Sequence, residues 1–166
     1  MAQFVPFAVH NPDMLACPIQ MINGTPPEIR EISRQATELG YKLFKLHGHA
    51  IESKEALFHL VAKEMRFPDY FGNNWDALEE CMNDLMEWTP AKGYIVLFED
   101  AHIFCQSASN DFLTFMEIVA GIADEWAHEE VPLFLILAGA VSLQTFGYSP
   151  LKKRIRFHPR QSTTNE

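Results

Sequence analysis

Carboxylates are the chemistry most densely packed into this sequence. Between Asp69 and Asp100 stand Asp69, Asp76, Glu79, Glu80, Asp84, Glu87, Glu99 and Asp100, and only Lys92 opposes them. Eight acids and one lysine give a local charge of −7, most of the chain's −9. Carboxylates at that density suit two kinds of work. As pairs they serve as general acid and base. Arrayed on one face they attract a cationic surface. Glu79-Glu80 and Glu99-Asp100 have the form of the first, but no basic or nucleophilic side chain stands at a telling spacing from either. The chain has no Gly-rich phosphate loop and no nucleophile elbow. Ser53, Ser107 and Ser109 read as turn or cap residues. Of seven histidines, His47 and His49 would share one face of a strand. No third ligand follows them, and zinc wants a cluster. No catalytic residue, metal ligand or cofactor is assigned, and the chain reads as a non-enzyme.

The second kind of work fits the spacing. At 100° per residue, Asp76, Glu80, Asn83 and Glu87 fall within one wedge of a helix from Asn74 to about Trp88. Leu78, Cys81, Met82, Leu85 and Trp88 lie opposite and can dock on a core. Most charged helix faces are simply solvated. Here no Lys or Arg interrupts the stripe, and Tyr70-Phe71-Gly72 sets two aromatics beside the helix start. Exposed aromatics next to charge mark binding surfaces.

These residues also carry a resemblance. Pro68-Asp69-Tyr70-Phe71-Gly72, then Asn74-Trp75-Asp76-Ala77-Leu78, then Cys81, resemble the signature of the barstar family of ribonuclease inhibitors. The resemblance implies a helix and lead-in loop that plug the active site of a small ribonuclease. It implies that Tyr70 covers a catalytic histidine and that Gly72 and Asn74 make contacts around the loop. Asp76 and Glu80 would be the main carboxylates, with Asn83 and Asp84 extending the contact. Phe71, Trp75, Glu79 and Glu87 complete the expected surface. An acid from the helix before the last strand, Asp124 or Glu125, would add to it. Two residues depart from the family pattern. Glu80 stands where Asp is usual, and Glu79 replaces a large aromatic of the best-known member. The barnase–barstar pair is the worked case of electrostatic steering, and its magnitudes belong to that pair.

Elements must position these groups. Thr25-Pro26-Pro27-Glu28 reads as a capped helix start, running to Leu39 and ending at Gly40. Tyr41–His47 reads as a strand, Lys54–Met65 as a helix capped by Ser53, and Tyr94–Phe98 as a buried strand. A helix from Asp111 to about His128 and a strand from Val131 to Ala138 follow. Alternating helices and strands predict an α/β fold with a small parallel sheet of about three strands. Residues 1–25 read as an irregular arm with a short strand at Gln3–Val9. Residues 26–139 read as the barstar-like domain. Residues 140–166 read as an extension whose Lys152, Lys153, Arg154, Arg156 and Arg160 form an edge strand or strap folded back on the acidic body.

At 166 residues with 48% apolar content, the chain can bury a proper core. Its −9 charge disfavours direct contact with nucleic acid. Three cysteines, Cys17, Cys81 and Cys105, do not make a disulfide framework. There is no signal peptide and no membrane-spanning run, so the cytoplasm is the expected compartment. The expected partner is a protein with a basic active site, a ribonuclease or nuclease toxin. The alternative is a regulatory module that presents the same acidic surface to a non-nuclease basic partner. A carboxylate hydrolase using a divalent metal ranks third.

Overall fold

A computed structural model describes residues 17–141 and 154–157. The expected strand at Gln3–Val9 and the basic residues Lys152, Lys153 and Arg160 lie outside the described residues. Among the described residues the core is one parallel sheet of five strands: β1 (Ile19–Ile22), β2 (Lys42–His47), β3 (Tyr94–Glu99), β4 (Leu133–Ala138) and β5 (Ile155–Phe157). Their spatial order is β2-β3-β4-β1-β5. The class is α/β, as expected, but the sheet has five strands and not about three.

The extra strands come from the two ends of the chain. β1 lies in the stretch expected to be irregular through residue 25. It pairs with β4 from Ile19↔Leu135 to Ile22↔Ala138 and with β5 from Ile19↔Ile155 to Met21↔Phe157. Its brevity hid it. Four residues between Pro18 and Gly24, with Gln20 at the centre, give little periodicity. Gln20 is nonetheless fully buried, and its amide donates to the Cys17 carbonyl at 2.7 Å. A buried amide so partnered does not carry the cost of an orphaned one.

Side-chain alternation along the strands sorts the core into two layers. Tyr94, Val96, Phe98, Leu133, Leu135 and Leu137 face the larger cluster. Ile95, Leu97, Phe134, Ile136 and Ala138 face the smaller one. Both faces of β3 and β4 are therefore covered, which explains why their sequences are continuous apolar runs. The smaller cluster is covered by α1 (Pro26–Leu39) through Ile32 and Ala36. This helix matches the sequence expectation at both ends. Thr25 and Glu28 form a reciprocal capping box, and Gly40 ends the helix with φ 70°.

The larger cluster is covered by α2 (Lys54–Glu64), α3 (Trp75–Asn83), α4 (Leu85–Trp88), α5 (Ala101–Ser107) and α6 (Ser109–His128). Three expectations are corrected here. The acidic helix does not run unbroken to Trp88. It stops at Asp84 (φ −86°, ψ 3°), and α4 begins as a separate turn. Asn83 and Asp84 are weak helix formers that compete for backbone hydrogen bonds. Helix α5 had no counterpart in the sequence reading. Its seven residues bury Ala101, Phe104 and Cys105 but are too few to display a period. His47 and His49 do not share a strand face, because β2 ends at His47 and Gly48–Ala50 form a 3-10 turn.

A candidate partner-binding surface

The lead-in loop is held by aromatic anchors on both sides of its tip. The Phe67 amide donates to Ala62 O at 2.9 Å and the Phe71 amide to Pro68 O at 3.0 Å. The Phe71 ring stands edge-on to Phe67 at 5.1 Å and to Phe58 at 6.2 Å. Trp75 stands edge-on to the same Phe58 at 4.8 Å. Such edge contacts each contribute about 0.5–1.5 kcal/mol beyond simple burial. Phe58 is fully buried, so the loop is pinned to the core from beneath. Phe71 and Trp75 are therefore half-buried anchors. Tyr70, between them in sequence, is 74% exposed. No other large hydrophobic residue is so exposed among the described residues.

Asn73 adopts φ 51°, a left-handed conformation that Asn tolerates better than most residues. Asn74 caps α3. Its Oδ1 accepts from the Ala77 amide at 2.8 Å, and its Nδ2 donates to Gly72 O at 3.2 Å. The Asn74 side chain is thus committed to shaping the loop. The first turn carries Asp76, whose negative charge complements the helix N-terminus.

From that start, α3 presents two unlike faces. Leu78, Cys81 and Met82 are buried against the main core. Asp76, Glu79 and Glu80 are exposed, while Asn83 and Asp84 are half-buried. Glu87 is exposed on α4, past the break. Trp88 ties α4 to the end of α2 by donating from Nε1 to Met65 O at 3.3 Å.

Four acids elsewhere have charged or ionisable partners. Glu31 and Glu38 flank Arg34, Glu99 meets His47 at 2.7 Å, and Asp124 is gripped by both terminal guanidinium nitrogens of Arg154. Among the described residues, Asp76, Glu79, Glu80, Asp84 and Glu87 form no ion pair. The Tyr70 phenol is held above its ordinary range by partial desolvation first, then by the nearby Cys81, Asp84, Glu80 and Glu87. Its hydroxyl therefore sits within the field of the acidic face. Burial, then Glu80 and Asp84, likewise pushes the Cys81 thiol up.

Asp124 and Glu125 both lie on the exposed side of α6. Asp124 is engaged by Arg154, which holds its carboxyl below the usual range. Glu125 forms no ion pair among the described residues. The sequence carried a signal for this clip in the basic residues around Arg154, though not for the acid it would meet. The half-buried position of Asp84 had no such signal, because it depends on where α3 stops. Among the described residues, no group of three His, Cys, Asp or Glu is placed to hold a metal ion. Nor is any helix there long and apolar enough to cross a membrane.

A family model described as Barstar (barnase inhibitor) matches residues 41–138. That span runs from the start of β2 to the end of β4, so β1, α1 and β5 fall outside it. No curated protein matches the chain. Among solved structures, the Aeropyrum pernix ORC2 protein, solved as ADPNP–ADP complexes, is similar with 16% identity and a TM-score of 0.51. The likeness covers 84% of this chain but only 39% of that one, and it concerns the fold alone.

Proposed function

Because the chain belongs to the Barstar (barnase inhibitor) family, we propose that it binds a ribonuclease or nuclease toxin and occludes its active site with the loop and α3. The observation that carries this reading is the row of unpaired carboxylates on α3 and α4 beside the exposed Tyr70. A ribonuclease active site must bind phosphate with cationic groups, and carboxylates on a rigid helix can occupy the same positions. Asp76 and Glu80 are the principal charges, Tyr70 covers the catalytic group, and Glu79, Asn83, Asp84 and Glu87 extend the contact. No bond is made or broken by this chain. Inhibition is steric and electrostatic, and its biological sense is immunity or self-protection in the cytoplasm.

The buried charge contacts set the dissociation rate, and the wider −7 field speeds encounter. Phe71, Trp75 and Asn74 contribute by fixing the loop, since a preordered surface loses less entropy on binding. Glu125 stands ready for a peripheral contact, while Asp124 joins only if Arg154 releases it.

The test is capture of the partner from the source organism with the wild-type chain and with Asp76→Ala/Glu80→Ala. The wild type should bind stoichiometrically and abolish RNA cleavage by the captured protein. The double variant should stay folded and lose several kcal/mol of affinity, as truncation of buried charge contacts does. Equal affinity of both proteins would sink the site assignment. A captured basic protein with no nuclease activity would favour the regulatory-module reading.

A further inference from the structure

Two residues in the left-handed region bracket the lead-in loop, Arg66 at φ 55° and Asn73 at φ 51°. Asparagine tolerates that conformation, whereas in arginine it crowds Cβ against the backbone. The hydrogen bonds around Arg66 show what holds it there. The Phe67 amide donates to Ala62 O at 2.9 Å, and the Arg66 amide to Lys63 O at 3.4 Å. Together they make the Schellman pattern that closes α2 after Met65. The end of α1 is closed in the same way, by Tyr41 to Ala36 O at 2.8 Å and Gly40 to Thr37 O at 3.2 Å. There the left-handed residue is Gly40, at φ 70°. Glycine is the residue that folding favours at this place, since it adopts the conformation without strain. Arg66 departs from that rule, and backbone strain of this kind gathers at functional sites.

The position of Arg66 decides what its side chain can do. On one side the contact of Phe67 with Phe71 ties it to the loop whose tip is Tyr70. On the other, the bond from Trp88 Nε1 to Met65 O brings the end of α2 against α4, where Glu87 closes the acidic stripe. Arg66 therefore stands on the rim of the acidic surface. It is exposed, and among the described residues it forms no ion pair. A cation near the end of a helix also complements the dipole. Lys63, in the last turn of α2, already does that without a strained backbone.

We infer that Arg66 is a specificity-determining contact, pairing with a carboxylate on the rim of the partner's basic cleft. The inference rests on the inhibitor reading above and narrows the partner it takes. A planar guanidinium accepts a carboxylate through two parallel N–H···O bonds. The same group repels a nuclease whose rim is cationic at that place. The acidic stripe thus recognises basic clefts as a class, and Arg66 selects among them by attraction and by repulsion.

The probe is the RNA-cleaving protein captured by the full wild-type chain. Its affinity and the urea midpoint of the chain are measured for Arg66→Gly, Arg66→Lys and Arg66→Glu. Arg66→Gly should raise the midpoint, because the strain is relieved, and yet weaken binding about tenfold, the loss of one charge-assisted contact. A residue that served folding alone would not give these opposite signs. Arg66→Lys keeps the charge and should recover part of the lost affinity. Arg66→Glu should bind more weakly than Arg66→Gly. Undiminished affinity of Arg66→Gly, a lowered midpoint in that variant, or equal binding by the Gly and Glu variants would each overturn the proposal. If Asp76→Ala/Glu80→Ala still loses affinity in that case, the inhibitor reading stands without Arg66. Capture of no nuclease would overturn both.

Discussion

Phe58 and Tyr70 show how a single side chain can matter for opposite reasons. Phe58 never meets solvent, yet Phe71 and Trp75 both rest on it. Phe58→Ala should therefore cost about 3–5 kcal/mol of stability. Urea unfolding would measure this, and the loop amides should show faster hydrogen exchange. Tyr70 touches little and is expendable for folding. Its phenol is raised first by partial desolvation and then by its neighbours, so charge removal at Asp84 and Glu80 should bring it back toward its ordinary range. Ultraviolet titration of the Asp84→Asn/Glu80→Gln protein would read the direction, and an unmoved phenol would place Tyr70 outside the acidic field. The aromatic–acid neighbourhood was legible in the sequence. The division of labour was not, because Tyr70, Phe71 and Trp75 look alike until the position of Phe58 separates anchor from tip.

Two elements set how the acidic face is presented. Asn74 begins α3 with a single side-chain cap, and Asn74→Ala should lower stability by about 1 kcal/mol. Because the frayed turn carries Asp76, the same variant should weaken partner binding more than an equal loss of stability elsewhere. Thr25→Ala, at the start of α1 and far from the surface, is the matched control. The other element is β5, just before which Arg154 holds Asp124. The folded Asp124 carboxyl is depressed, so this contribution is present above the ordinary carboxylate range. It is lost as pH falls through the depressed value. Amide exchange around Ile155 should accordingly rise on strong acidification. Arg154→Ala should remove that dependence, since the unpaired Asp124 then titrates alike in both states. Long elements were legible from capping and period. The short ones, β1, α5 and α4, escaped because four to seven residues define no period and tertiary packing alone makes them regular.

At the scale of the whole molecule, the −9 charge is unevenly spread. Association with a basic partner should slow steeply as salt rises, with dissociation changing little, which stopped-flow mixing at several ionic strengths would measure. A rate indifferent to salt would mean that the acidic stripe plays no part in encounter. The parallel α/β class and the acidic surface could be read from sequence, since both rest on local patterns. The full sheet was legible only in part: β5 lies at the edge, within the basic segment expected to be an edge strand or strap, but β1 lies in the stretch expected to be an irregular arm. Those segments, β1 and β5, lie side by side and run parallel. Tension applied through residues 17 and 157 would drag these neighbours past each other along their length. Their ladder hydrogen bonds would then bear the load together in shear and would not open one at a time. The chain should resist stretching between these points better than the three residues of β5 suggest, and yield sooner when pulled across that strand.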